Sequence, residues 1–111
     1  MFFPKMMAAV VMCSSCSLFA GELTKGATVI EVAANPSSAK TFAILISGGT
    51  GVCAGNPSRW VIFPESKAPS AASYNQSFSI ALMALSTDKT VRIHNFDDDS
   101  CTGAGFISVS K

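Results

Sequence analysis

The chain has 111 residues, eight Lys and Arg against seven Asp and Glu, and a formal net charge of +1. That balance excludes a protein that lives on phosphate contacts, which needs a basic excess, and the length allows one domain with one small core. With 49% hydrophobic and only 14% charged residues, a disordered chain is excluded too.

Met1 to Lys5 is a short start with one positive charge, residues 6–20 are apolar and small without charge, and Gly21-Glu22 returns to polar sequence. This pattern predicts a signal peptide over 1–20, cut near Ala20-Gly21, because the run is too short for a membrane anchor and Ala20 supplies the small residue before the cut. The domain proper is then 21–111, secreted or periplasmic, with seven positive charges facing seven negative once Lys5 is gone. Cys13 and Cys16 leave with the leader. Ser14-Ser15 before Cys16 is small enough for lipid attachment, but Cys13 stands where such a signal wants Leu, so a lipoprotein is the weaker reading. Cys53 and Cys101 remain, and an even pair in an oxidising compartment reads as one disulfide.

From Ala27 to Ala33 a β-branched run predicts a first strand, with Thr28, Ile30 and Val32 on one face and Val29, Glu31 and Ala33 on the other. Asn35-Pro36-Ser37-Ser38 is a turn cluster, and Thr41 to Ser47 a second strand, apolar on both faces and paired with the first as a hairpin. Four glycines between Ser47 and Ser58 predict a long loop pinned by Cys53; it lacks the Gly-Lys-Ser/Thr ending of a phosphate-binding loop. Arg59 to Phe63 is a third strand stopped by Pro64. Between Ser70 and Ser86 the period changes to three and four, with Tyr74, Phe78, Ala81, Leu82 and Leu85 forming the stripe of an amphipathic helix flanked by Ile80 and Met83. Ser70 or Ser73 caps its start. Thr90 to His94 and Phe106 to Ser110 complete the set as strands four and five.

The order is therefore mainly β with one helix: three strands, the helix, two strands. Five short strands and one helix cover themselves most economically by curling into a small barrel of the oligonucleotide/oligosaccharide-binding (OB) kind; an open α+β sandwich is the alternative.

The stretch from Cys53 through Arg59-Trp60-Val61-Ile62-Phe63, then Ala81 to Ile93, then Asp99-Ser100-Cys101 and a final strand, resembles the receptor-binding B subunits of the subtilase-cytotoxin and pertussis-like toxin group, and many small secreted bacterial proteins. The likeness covers about half of the domain. It implies an OB barrel, a disulfide from the loop before strand three to the loop before strand five, and a ring of five subunits that holds a sialylated glycan; no glycan-contacting residue is transferred.

Sugar sites use flat aromatic faces with convergent polar groups, and the domain offers one Trp and one Tyr. Arg59 with Trp60 is the first candidate binding spot and Tyr74 the second, against the plainer reading that both aromatics are packing residues. His94 alternates with Val91 and Ile93, which places it on the outer face of strand four as an exposed or partly paired residue; no Gly-x-Ser-x-Gly elbow presents a serine to it. Asp97, Asp98 and Asp99 would suit calcium by charge but lack the alternate spacing and distal Glu of a calcium loop, so they read as a solvated turn. No catalytic residue, metal or cofactor is expected. The resulting expectation is a secreted, non-enzymatic protein that binds a glycan or another protein. Its rivals are a periplasmic inhibitor or structural envelope protein, using Gly48 to Pro57 as a wedge, and a small hydrolase built on His94.

Overall fold

The computed structural model describes residues 21–35 and 40–111, so the expected leader, with Cys13 and Cys16, lies outside the described residues. The elements follow the expected order: β1 (Glu22–Asn35), β2 (Thr41–Gly48), β3 (Gly55–Pro64), a single 3-10 turn (Glu65–Lys67), helix α1 (Ala71–Thr87), β4 (Thr90–His94) and β5 (Phe106–Ser110). All five strands form one antiparallel sheet in the order β3-β2-β1-β4-β5. The fold is thus mainly β with one helix, and β1 and β2 form the expected hairpin.

β1 is twice as long as its β-branched run because Gly26 does not end it. The register shifts between Lys25 and Ala27 and again between Val29 and Glu31, and these bulges bend the strand so that its first half pairs with β4 and its second half with β2. The second bulge also overturns the expected faces. Ala27 and Val29 point into the core, Ile30 is squeezed out to 49% exposure, and Val32 turns back inward. Strict alternation put Ile30 and Val32 on one face; Ile30 is itself the extra residue, unpaired between Val29 and Glu31, and it shifts the residues after it to the opposite face.

The bends curl the sheet without closing it into a barrel. At the gap, Ile62 of β3 accepts from the Ala104 amide at 3.1 Å and donates to the Cys101 carbonyl at 2.9 Å, so the segment ahead of β5 is fastened to the β3 edge by two bonds in place of a ladder. The disulfide lies beside them, joining Cys53 to Cys101 with the Cα atoms 5.8 Å apart. The connection from β2 to β3 is shorter than the expected Ser47–Ser58 loop, since Gly48 already pairs with Gly55.

α1 begins where expected. The Ser70 hydroxyl, not that of Ser73, is the cap, accepting from the Ser73 amide at 3.1 Å. Ser70→Ala is expected to cost about 1 kcal/mol in urea unfolding, the usual worth of such a cap. The helix packs against β1 and β5 through Tyr74, Phe78, Ile80, Ala81 and Ala84, while Leu82, Met83 and Leu85 of the expected stripe are exposed. Small alanines let the helix axis approach the curved sheet, and a larger leucine on that line would hold it off. The core joins Leu23, Val29, Phe42, Ile44, Ile46, Val61, Phe63, Val91, Ile93 and Ile107 beneath it.

Candidate functional site

The three residues singled out from sequence do not converge. Arg59 and Trp60 are neighbours on β3, so their side chains leave opposite faces of the strand. Arg59 Nη1 donates to the Val52 carbonyl at 3.1 Å, which makes it a clamp on the β2–β3 loop. Trp60 is 41% exposed and stands across from Leu45 on β2. Tyr74 is half-buried and packs against the core, its ring 5.4 Å from that of Phe42, and burial followed by the nearby Glu65 raises its phenol pKa above the ordinary value.

The glycine loop is tied down as well. Thr50 exchanges two 2.9 Å backbone bonds with Lys25, and the Cys53 amide donates to the Leu23 carbonyl at 2.7 Å. Gly51, at φ +112, passes so near β1 that a Cβ there would sit 2.5 Å from the Leu23 carbonyl oxygen. Only glycine takes that backbone path, and the loop lies along β1 instead of projecting as a wedge.

A concave feature among the described residues lies elsewhere, between α1 and the approach to β5. Ser73, Gln76, Ser77 and Ile80 recur at three and four residue steps and form one helical wall; Phe96, Phe106 and Ile107 form the other, around a cavity of about 290 Å³. Ile80 and Ile107 supply the apolar lining, and Lys67 stands at the rim.

Asn95 makes this wall. Only 1% exposed, it follows β4 directly and fastens the next turn from inside. Its Nδ2 donates to Asp98 Oδ1 at 2.6 Å and to the Ser100 carbonyl at 3.0 Å, while its Oδ1 accepts from the amides of Asp97 and Asp98 at 3.0 and 3.3 Å. An amide side chain that substitutes for backbone partners in this way fixes a turn without a helix or ladder. Phe96, inside that turn, is therefore held out at 75% exposure.

Its ring is stacked on His94, centroids 5.7 Å apart and planes 12° from parallel, and Phe106 meets both edge-on at 5.3 and 6.0 Å. Of the two expected readings His94 is the partly paired one and not the exposed one: its side chain is 18% accessible, with Nε2 3.8 Å from Glu22 Oε2 and Nδ1 buried without a hydrogen-bond partner. Glu22 in turn accepts from Arg92 Nε at 3.0 Å.

The three aspartates diverge to separate partners. Asp97 takes Lys67 Nζ at 2.7 Å, a bond that raises the Lys67 pKa and keeps the ammonium charged; Asp98 serves Asn95 and the Ser100 amide; Asp99 accepts from the Gly21 amide at 3.4 Å. Among the described residues no group of His, Cys, Asp and Glu is arranged to hold a metal ion. What the site can do is cover an apolar ligand face with Phe96 and Phe106 and meet polar groups with Gln76, Ser73, Ser77 and Lys67. Sequence reading missed it because one Phe in a polar turn has no period, although Asn95 ahead of Asp97-Asp98 is an Asx-turn signal.

Fold and site define a small disulfide-bonded, mainly β domain whose single curled sheet carries one helix and a groove along that helix. The chain belongs to a family of unknown function (DUF5992), whose model matches residues 3–111. No curated protein and no solved structure matches it.

Proposed function

We propose that the chain is an exported, non-enzymatic binding domain whose groove between α1 and β5 takes a carbohydrate. The observation that carries this is Phe96. Covering a phenylalanine side chain is worth roughly 1.5–3 kcal/mol, and this one is held rigidly at 75% exposure over a groove with polar side chains opposite. A sugar ring has that duality, an apolar face for the aromatic and hydroxyls for Gln76, Ser73, Ser77 and Lys67. The cavity of about 290 Å³ suits one or two rings.

Export is supported by the disulfide, which persists in oxidising compartments. Among the described residues no helix is long and apolar enough to cross a membrane. Ring assembly of the toxin-subunit kind is part of the same proposal, since β3 and β5 are the edges of the sheet and β5 pairs with β4 alone. Native mass spectrometry showing five subunits supports it, and a monomer removes it.

The groove is tested by titrating simple glycosides, sialosides included, against amide spectra of the protein. Binding is expected to shift resonances at Gln76, Phe96 and Phe106. Phe96→Ala should then weaken it about tenfold, the scale of one stacking contact of roughly 1.4 kcal/mol, while Trp60→Ala leaves it unchanged. Shifts confined to Arg59 and Trp60, or none with any glycoside, would overturn the proposal.

A further inference from the structure

We infer that the ammonium exposed when the leader is cut from Gly21 is a structural group of the folded domain, docked on Asp99 beneath the turn that carries Phe96. The inference rests on the export reading above. It assigns Gly21 as the first residue of the mature protein and gives its terminus a binding site.

Gly21 is buried and held through both backbone groups: its nitrogen donates to Asp99 Oδ1 at 3.4 Å, and its carbonyl accepts from the Asn95 amide at 2.8 Å. Its φ is +94, and a Cβ would stand 2.8 Å from the Asn95 carbonyl oxygen, so the position is shaped for glycine. The charges around it are unevenly matched. Asp97 has Lys67, Glu22 has Arg92, and Asp98 is bonded to the Asn95 amide and the Ser100 backbone. Among the described residues Asp99 has no cationic partner, only the Gly21 nitrogen.

In the uncut chain that nitrogen is a neutral amide with one hydrogen, and 3.4 Å is long for such a bond. Hydrolysis of the Ala20–Gly21 peptide bond by a leader peptidase consumes one water. It leaves a carboxylate on Ala20 and an ammonium on Gly21. The same atom then carries a positive charge and three donors, and a charge-assisted bond to a carboxylate is shorter and roughly twice as strong. Processing thereby tightens the contact between the start of β1 and the Asn95 turn, one wall of the groove.

The test uses the exported protein. Its intact mass should place Gly21 first. Thermal unfolding is then followed for this product, for Asp99→Asn, for the product acetylated at its terminal nitrogen, and for both changes together. Each single change is expected to lower Tm by about 2–6 °C, and the pair no further than one, because both remove the same contact. The deficit should shrink in high salt. Additive losses, or no loss on acetylation, overturn the docking, as does a mature product that begins at another residue. A protein that retains residues 1–20 in the envelope fraction or stays in the cytoplasm overturns the export reading instead, and this inference with it, before any unfolding is measured.

Discussion

Reducing the Cys53–Cys101 bond, or replacing both cysteines by serine, should remove about 4 kcal/mol of stability, read as a fall in the urea midpoint. The bridge closes 48 residues, from the β2–β3 loop across β3, α1 and β4 to the segment ahead of β5. On the chain-entropy account that loop length sets the size of the effect. A domain this small has about 5–14 kcal/mol in all, so losing the bridge leaves about 1–10 kcal/mol. The effect should also be local. Cys101 sits beside the two bonds by which Ile62 fastens the gap between β3 and the segment ahead of β5, so the amides of Ile62 and Ala104 should lose exchange protection before those of β1 and β2. Uniform loss of protection, or a reduced protein as stable as the oxidised one, would contradict a bridge that holds the curl of the sheet.

What could be read in advance follows from what local chemistry specifies. The hairpin was legible because Asn35-Pro36 interrupts two β-rich runs, and the disulfide because two cysteines remain once the leader is set aside. Strand four was legible from its alternation, and strand five from Gly103 and Gly105 ahead of it. The bulge at Ile30 was not, since nothing in Val-Ile-Glu says that β1 must serve two neighbours and bend between them. The helix was placed correctly and its face in part: Tyr74, Phe78 and Ala81 of the stripe pack against the core, whereas Leu82 and Leu85 are exposed. Hydropathy ranks Leu82 and Leu85 above Ala81 and Ala84, yet close approach to a curved sheet selects for small size. Trp60 drew notice for its chemistry and lies on the side of β3 away from the core. Phe96 escaped it, because its position is made by contacts of Asn95 that exist only after β4 and the turn have folded.

The core itself yields the other large expected effect. Phe42 is almost fully buried on β2, stacked on Phe63 with centroids 4.6 Å apart and planes 6° from parallel, and met by Phe78 at 5.2 Å and Tyr74 at 5.4 Å. It is the contact through which the first half of α1 holds the sheet. Phe42→Ala should cost about 3–5 kcal/mol, the transfer of a ring plus the cavity left behind, and three aromatic partners lose their contacts at once. Trp60→Ala, on a side chain 41% exposed, should cost less than about 1.5 kcal/mol. Equal losses in the two variants would mean that the ring cluster is not what joins helix to sheet. Tyr74, the chain's one tyrosine, reports on the same packing without unfolding. Its phenol pKa is raised by burial, so the neutral form is favoured in the fold. That contribution is complete below the ordinary value of 10.0 and is lost as pH rises through the folded one. In Phe42→Ala the ring gains solvent, and its absorbance titration should move back down toward 10.0 while that of Trp60→Ala stays where the parent protein has it.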